Sequence, residues 1–291
     1  MDFGLCLPNF QAGSSTDGLE RAAATAERLG WSTIWTTDHL LVVHEDAPDY
    51  GRTYEAILTL AWLGARHPTL RLGTSVIIAA VRNAVILAKE FATLDALSDG
   101  RVIAGIGVGW SHPEFANLGM ADRFAERGAY LDETIALWRH LWSGATTPFH
   151  GRFHAFDDFV FEPLPAQGDR LPIITGGRAA PALRRAGRLA DGYHSSQTGP
   201  RQYAERLPVI RAAAEAAGRP MPWLSGRVNV RFGSASGDTY AIAGTPDEMA
   251  AEVRAFAALG VEHLALAFGT REPDALDELG ERFMREVAPL V

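Results

Sequence analysis

Short apolar runs alternate with helical patterns along almost the whole chain, and this alternation constrains the fold more than any other feature. Eight runs have the β-branched and aromatic character of buried parallel strands, at 3–8, 32–38, 70–78, 101–108, 172–176, 192–196, 227–233 and 263–268. Stretches with apolar residues at helical spacing follow them, at 17–29, 54–66, 84–97, 125–142, 180–190, 200–218, 245–259 and 273–287. Eight strand–helix units predict an α/β fold, a (β/α)8 TIM barrel. A doubly wound open sheet is the alternative, but it would not usually need eight units.

The alternation has no gap that would separate two domains, so residues 1–291 are predicted to form a single barrel domain. Barrels of ~250 residues commonly remain one domain. Residues 146–165 depart from the pattern, because they are aromatic, contain glycine and proline, and lack a helical period. We expect an inserted β-hairpin or lid here, between the fourth and fifth strands.

The charge and the cysteine content exclude several classes of protein. The net charge of −8 argues against a nucleic-acid binder, which normally has a basic surface. The single cysteine, Cys6, excludes a disulfide framework and a cysteine metal site. No apolar run approaches the ~20 residues of a membrane span, and the N-terminal residues lack the basic region of a signal peptide. We therefore expect a soluble, cytoplasmic protein that binds neither nucleic acid nor membranes.

The second strand ends in Thr37-Asp38-His39. The C-terminal ends of barrel strands carry the reacting groups, and histidine is the side chain best suited to proton transfer near neutral pH. Asp38 and His39 are therefore candidate functional residues. The alternative is structural, with Asp38 capping a turn and His39 packing in the core.

The fourth strand ends in three alternating glycines, Gly105, Gly107 and Gly109, before Trp110. Alternating glycines at a strand end leave room for a bulky ring against the backbone. The pattern resembles a dinucleotide fingerprint only superficially, because residues 111–113 do not open a helix as that motif requires.

The fifth strand ends in Thr175-Gly176-Gly177-Arg178, directly before a helix. Glycines at such a position expose backbone N–H groups, which together with the helix dipole form an anion site. Ser195 and Ser196, at the end of the sixth strand, would add hydroxyl groups to this phosphate loop. The alternative is that the two glycines only form a turn. For three arginines of the following helix we expect a solvated face: Arg184, Arg185 and Arg188.

Other catalytic signatures are missing from the sequence. No histidine pairs with a second histidine or an acid at metal-ligand spacing on a predicted helix, so we expect no metal site. No Gly-x-Ser-x-Gly elbow occurs, which argues against a serine hydrolase.

Several segments together resemble the luciferase-like monooxygenase superfamily, and within it the branch that uses coenzyme F420, an 8-hydroxy-5-deazaflavin. The resemblance covers nearly the whole chain. The segments that carry it are RNAVILAKE (82–90), TLDALSDGR (93–101), GVGW (107–110), AGRLADG (186–192) and GTPDE (244–248). The match is specific as a set, whereas each piece alone is not.

This resemblance implies a barrel that holds the deazaflavin ring edge-on at the strand ends. A bulge in the third strand, often with a non-proline cis peptide, would map to Ser75-Val76 and support the ring. His39 would be the catalytic histidine, and Thr-Asp-His matches the F420 branch, whereas the FMN branch more often has Glu-His. The expected cofactor-binding residues are Asp38, Ser75, Val76, Gly107, Gly109, Trp110, Thr175, Gly176, Gly177, Arg178, Ser195 and Ser196. The resemblance also implies a homodimer.

The leading hypothesis is an oxidoreductase that moves a hydride between F420 and a small organic substrate. An FMN-dependent monooxygenase supplied by a separate cofactor reductase is the second hypothesis, and a catalytically silent binding barrel is the third. Trp35, His44, Trp110 and the aromatic residues of the 146–165 insertion indicate an apolar or aromatic substrate. Lysines do not cluster at the seventh and eighth strands, which argues against a sugar phosphate.

Overall fold

A ring of parallel strand pairings organises the molecule. The structure is a computed structural model and describes residues 1–11, 14–234, 239–270 and 272–291. The strands in these ranges are β1 (Asp2–Cys6), β2 (Thr33–Thr36), β3 (Arg71–Thr74), β4 (Ile77–Ile78), β5 (Val102–Gly107), β6 (Phe149–His150), β7 (Ala155–Phe156), β8 (Ile173–Thr175), β9 (Gly192–Ser196), β10 (Trp223–Phe232), β11 (Ala241–Gly244) and β12 (His263–Ala267). The α-helices in the same ranges are α1 (Thr16–Arg28), α2 (Ala47–Tyr50), α3 (Ala56–Gly64), α4 (Ala84–Leu97), α5 (His112–Asn117), α6 (Arg123–Trp142), α7 (Ala180–Leu189), α8 (Pro200–Ala216), α9 (Pro246–Ala258) and α10 (Pro273–Glu286).

The sheet closes on itself because β1 pairs with β2 on one side and with β12 on the other. Around the ring, β2 pairs with β3, β5 with β8, β8 with β9, and β10 with both β9 and β12. β3 and β4 share the third position, since both pair with β5. All of these pairings are parallel, so the predicted (β/α)8 barrel is confirmed. Within the described ranges, no helix is both long and apolar enough to cross a membrane.

The third barrel position is interrupted at the place that the family resemblance implies, whereas the apolar run alone predicts one continuous strand over 70–78. The peptide bond between Ser75 and Val76 is cis and separates β3 from β4. At the interruption, the Thr74 hydroxyl donates to Gly105 O (2.7 Å) and accepts from Gly105 N (2.9 Å). The Thr74 hydroxyl thus bonds to the backbone of Gly105 in place of a backbone group of the third strand. The apolar pattern of the sequence does not predict this replacement.

The seventh barrel strand begins at Trp223, four residues before the start of the predicted strand at 227–233. Pro222 and Gly226 are turn formers by their local preferences, yet the segment pairs in register with β9 and β12. Pairing on both sides overrides the local preference. The far end of β10 pairs with β11, a strand that the sequence pattern does not predict.

The insertion at 146–165 contains the predicted hairpin, because β6 and β7 pair antiparallel. Its turn is fixed to α6 by Glu133, whose carboxylate accepts from the backbone N–H groups of Arg152, Phe153 and His154 at 2.6 to 3.1 Å. A cavity of about 520 Å³ opens at the carboxyl ends of the barrel strands, and none of the insertion's residues lines it. The hairpin therefore packs on the outer helix layer, and the lid alternative does not hold for this cavity.

Candidate active site

His39 and Glu114 form a buried pair at the end of β2. Glu114 Oε2 lies 2.9 Å from His39 Nδ1, and the two side chains are only 1% and 5% exposed. Glu114 Oε1 also accepts the backbone N–H of Leu40 at 2.7 Å. Burial by itself raises the pKa of Glu114, but the hydrogen bonds from His39 and Leu40 outweigh it and keep this pKa below its ordinary value. The carboxylate therefore stays charged and holds His39 by Nδ1.

Sequence reasoning missed Glu114, which lies on α5. Residues 111–113 were not expected to open a helix, but α5 begins at His112, and the Ser111 hydroxyl caps it by accepting Glu114 N–H. A serine followed three residues later by glutamate is a known helix-start signature. That signal could have predicted the helix, although not the contact of Glu114 with a histidine 75 positions away.

Asp38 lies beside this pair, but its carboxylate points to the third barrel position. One oxygen accepts the backbone N–H of Ile78 at 2.9 Å, and the other accepts Arg82 Nη2 at 2.7 Å. Arg82 also contacts Glu55 at 3.0 Å. Burial raises the pKa of Asp38, opposed by the positive charge of Arg82. Asp38 thus anchors β4 across the interruption, and its contact with a cofactor stays a prediction.

A neutral histidine, His194, contacts Ser75 between β3 and β4. The Ser75 hydroxyl lies 2.9 Å from His194 Nε2, and His194 Nδ1 lies 2.8 Å from the Ser225 hydroxyl. The His194 ring also stacks on Trp35 with centroids 4.8 Å apart. Burial lowers the pKa of His194 to about 3, so the ring is uncharged at neutral pH. His194 is a rigid bridge between two barrel strands, which its sequence position alone did not indicate.

The glycines at the end of β5 make room for the third barrel position. An added Cβ would lie 1.8 Å from Thr74 O at Gly105, 2.8 Å from Val76 Cγ2 at Gly107 and 2.7 Å from Ile78 Cγ2 at Gly109. The space expected for a bulky ring is thus filled by protein at these three positions. Contacts of Gly107, Gly109 and Val76 with a cofactor stay predictions.

The predicted phosphate loop holds two buried hydroxyl groups without a partner. Thr175 Oγ1 and Ser195 Oγ are buried and form no hydrogen bond with the described residues. Gly177 has a φ of 120°, which glycine tolerates, and its carbonyl accepts the Tyr193 hydroxyl at 3.0 Å. Unsatisfied buried hydroxyls are unusual, so the loop fits an additional acceptor or donor group such as a phosphate.

The arginines of α7 differ in exposure, because Arg184 and Arg188 lie exposed as expected, whereas Arg185 does not. Arg185 is buried and bonds to Asp132 on α6 and to the Gly128 carbonyl. Arg188 also pairs with Asp132. The expected solvated face is therefore wrong for Arg185, because α6 packs against α7 and covers it. In contrast, Arg178 is exposed at the phosphate loop.

A cavity of about 520 Å³ opens at the carboxyl ends of the strands. Of the predicted site residues, Trp110, Arg178 and Ser196 line it. His39 does not, but its ring contacts two lining side chains, with centroid distances of 4.1 Å to Tyr50 and 5.7 Å to Trp110. The structure therefore brings the catalytic candidate to the cavity wall. The other predicted cofactor-binding residues lie outside the lining: Asp38, Ser75, Val76, Gly107, Gly109, Thr175, Gly176, Gly177 and Ser195.

Arg227 is a lining residue that sequence reasoning missed. It lies in β10, and its Nη1 donates to Thr37 Oγ1 at 2.8 Å and to Ser75 O at 3.2 Å. It thus ties the end of β2 to the interrupted third position. The sequence pattern predicts a strand that begins at residue 227, whereas Arg227 lies in the middle of β10. Its position near the strand ends of the cavity was therefore not indicated by the sequence.

Comparison with known proteins identifies the family. The model of the luciferase-like monooxygenase family matches residues 1–236. The F420-dependent glucose-6-phosphate dehydrogenase of Nakamurella multipartita is 35% identical over 201 residues, which are 68% of this chain and 58% of that protein. The chain therefore spans less than two thirds of this relative's length.

Solved structures share the whole fold. The coenzyme F420-dependent tetrahydromethanopterin reductase of Methanopyrus kandleri superposes with a TM-score of 0.82 at 18% identity, covering 99% of this chain and 98% of that one. The oxygenating constituent of the 3,6-diketocamphane monooxygenase of Pseudomonas putida, in complex with FMN, gives 0.81 at 17% identity, covering 100% and 98%. Proteins named for different cofactors thus share this barrel. Together with the family match, the site geometry leads to one conclusion: the chain belongs to the luciferase-like monooxygenase family.

Proposed function

We propose that this protein is an F420-dependent oxidoreductase that transfers a hydride between the deazaflavin and a small apolar or aromatic substrate. The observation that carries the proposal is the buried His39–Glu114 pair, which lies at the wall of a cavity at the strand ends. Relatives named as F420-dependent dehydrogenases support the choice of cofactor. Bound F420 would supply the hydride chemistry, and the protein supplies binding, orientation and proton transfer.

The cofactor's phosphate fits the loop at 175–178. Backbone N–H groups precede α7 there, and the unpartnered hydroxyls of Thr175 and Ser195 lie buried beside them. Arg178 adds an exposed positive charge at the same loop. The ring would lie against Ser75 and Val76, where β3 gives way to β4.

His39 is proposed to hold or move the proton that accompanies hydride transfer. Because Glu114 is a charged acceptor at Nδ1, that nitrogen carries the hydrogen, and Nε2 is left as the basic atom of His39. Among the described residues, Nε2 has no hydrogen-bonding partner. The ring therefore stays oriented while Nε2 exchanges a proton with the substrate.

An apolar or aromatic substrate fits one wall of the cavity, while the rest of the lining includes polar and charged side chains such as Asp49, Arg178 and Asn229. Phe10, Tyr50 and Trp110 line the cavity together, with ring centroids 6.0 Å apart for Phe10 and Tyr50 and 6.1 Å apart for Tyr50 and Trp110. The single lysine of the chain, Lys89, lies on α4 against Phe161, and the cations among the described lining residues are arginines. We do not extend the sugar-phosphate substrate of the named relatives to this protein, because the chain spans less than two thirds of their length.

The decisive experiment is separate titration of the purified apoprotein with F420 and with FMN, followed by the cofactor's fluorescence. We expect tighter binding of F420 than of FMN. Arg178→Gln should weaken F420 binding, whereas the matched control Arg201→Gln should not, because the Arg201 side chain is 89% exposed on α8. Micromolar FMN binding without detectable F420 binding would favour the FMN-dependent monooxygenase instead.

We also propose that the protein forms a homodimer through α3 and α4. Leu58, Ile86 and Leu97 line one surface groove on these helices and are 71%, 60% and 80% exposed. Contiguous exposed apolar patches of this kind mark interaction surfaces. Ile86→Glu should convert a dimer into a monomer in sedimentation analysis. A wild-type protein that sediments only as a 31.4 kDa species would refute the dimer.

A further inference from the structure

Arg227 brings a positive charge into the cavity and forms no ion pair with the part of the chain that the structure describes, although Asp49 lines the same cavity. Within the described residues its guanidinium uses Nη1 for two hydrogen bonds, to the neutral acceptors Thr37 Oγ1 and Ser75 O. Nε and Nη2 form no hydrogen bond with the described residues. They are also not buried, so they open to the cavity that Arg227 lines.

A half-buried guanidinium of this kind favours an anionic ligand. Charges removed from water are usually paired, and a guanidinium edge with adjacent donors matches the two oxygens of a carboxylate. Among the described lining residues Arg178 is the second cation, but it lies exposed at the phosphate loop. The two arginines can therefore bind two different anionic groups.

An aromatic wall adjoins Arg227. The Phe10 ring centroid lies 5.3 Å from the guanidinium carbon, and the same ring stacks on Tyr50 with an interplanar angle of 17°. Trp110 completes this wall of the cavity. A ligand that satisfies both features has a flat apolar body and a carboxylate group.

We propose that Arg227 is a specificity-determining residue that binds the carboxylate of a flat, aromatic acid as the substrate. This proposal rests on the proposed function, because it places the acid in the same cavity as the deazaflavin site. Two members of the aromatic wall, Tyr50 and Trp110, also contact His39. An acid held by Arg227 therefore has its apolar body next to the proton-transferring residue.

Calorimetry with two probes of equal shape tests this proposal. The F420-loaded protein is titrated with 2-naphthoate and with the neutral 2-naphthamide. We expect the affinity for 2-naphthoate to exceed that for the amide by a factor of about ten or more, since a hydrogen bond to a charged group is worth ~1.5–3 kcal/mol. Arg227→Met should weaken 2-naphthoate binding by about ten- to a hundredfold and leave the amide almost unchanged.

Two further variants separate loss of charge from loss of structure. Arg227→Lys keeps the charge and should retain a preference for the acid, although a weaker one, because ammonium lacks the guanidinium fork. Arg201→Met removes an exposed arginine elsewhere and should have no effect on either probe. The F420 affinity of each variant is measured in parallel.

Three outcomes would overturn the assignment. One is equal affinity of the wild-type protein for the two probes, including no binding of either. The second is an acid preference that Arg227→Met leaves intact. The third is a loss of F420 affinity in Arg227→Met that equals the loss for 2-naphthoate, which would assign the arginine to the cofactor. If the wild-type protein does not bind F420, the proposed function fails, and the same comparison of probes on the apoprotein still tests Arg227.

Discussion

Glu114 and His39 are 75 residues apart in the chain, yet the Oε2 of Glu114 lies 2.9 Å from the Nδ1 of His39. Both side chains are buried. Because the carboxylate is a pure acceptor when ionised, it holds the hydrogen on Nδ1. In the proposed reaction it also stabilises the positive charge that appears when Nε2 takes a proton, so we propose Glu114 as a positioning residue that acts through His39.

Glu114→Gln should lower turnover without weakening cofactor binding. The amide occupies the same space and can still hydrogen-bond, but it carries no charge to stabilise a protonated His39. A charge-assisted hydrogen bond is worth ~1.5–3 kcal/mol, so we expect kcat to fall by about ten- to a hundredfold. Steady-state kinetics and F420 titration measure the two quantities separately.

The matched control is Glu205→Gln, at a glutamate that is 68% exposed on α8. It should leave kcat and F420 affinity unchanged. An equal decrease of kcat and of F420 affinity in Glu114→Gln would show that Glu114 only maintains the shape of the site, since it also bonds to Leu40 and Leu41.

His39→Ala should reduce turnover far more than cofactor affinity. A positioned acid or base contributes ~10²–10⁴-fold to rate, whereas the expected cofactor contacts are spread over many residues. The measurement is single-turnover kinetics on a true substrate together with F420 titration. His150→Ala, at a 65% exposed histidine of the hairpin, is the control. Wild-type turnover in His39→Ala would mean that His39 is a packing residue.

Asp38→Asn should destabilise the fold. The substitution leaves Arg82, which is largely buried, with Glu55 as its remaining carboxylate contact among the described residues. Breaking a buried ion pair costs ~3–5 kcal/mol. Because Arg82 keeps its contact with Glu55, we expect the free energy of unfolding to decrease by about 3 kcal/mol, the lower end of this range. Denaturant unfolding measures the loss, with the exposed Asp158→Asn as control.

A loss below about 1 kcal/mol would mean that Glu55 alone satisfies Arg82. The same Asp38→Asn protein also tests the predicted cofactor contact. If the F420 affinity decreases by more than the loss of folded protein explains, a direct contact with Asp38 is supported. If the folded protein binds F420 with unchanged affinity, Asp38 only anchors β4.

The barrel was predictable because its signals are local. Short apolar runs and apolar periods of 3.6 residues recur along the chain, and each strand–helix unit can be identified from its own residues alone. The rule that strand ends carry the site then selects Asp38 and His39. The Ser75–Val76 cis peptide was expected only from the family resemblance, and the structure has it.

The remaining parts of the site depend on contacts between distant residues. Glu114 reaches His39 from a six-residue helix, and Tyr50 covers the same histidine from a four-residue helix. Elements this short have no measurable period. At Gly107, Val76 lies in the space that an added Cβ would occupy, and the contact of this glycine with a cofactor stays a prediction. A single sequence shows that a glycine is present, but not which neighbour lies against it.

Two neutral histidines in the barrel interior should make stability depend on pH. Burial lowers the pKa values of His194 and His263 to about 3 each, from an ordinary value of 6.5. Below pH 6.5 the unfolded chain binds protons at these positions and the folded chain does not. Stability is therefore full above pH 6.5 and falls as the pH decreases towards about 3, by ~1.4 kcal/mol per pH unit for each histidine.

Urea unfolding between pH 7 and pH 4.5 measures this slope. In His194→Gln the amide can still bond to Ser75 and Ser225 but does not titrate, so the slope should decrease by the contribution of one proton, ~1.4 kcal/mol per pH unit. The control is His44→Gln, at an exposed histidine, which should keep the wild-type slope. The slope is a better readout than the absolute stability, because any packing defect at residue 194 lowers stability equally at every pH. An unchanged slope in His194→Gln would mean that His194 already takes up its proton in the folded protein.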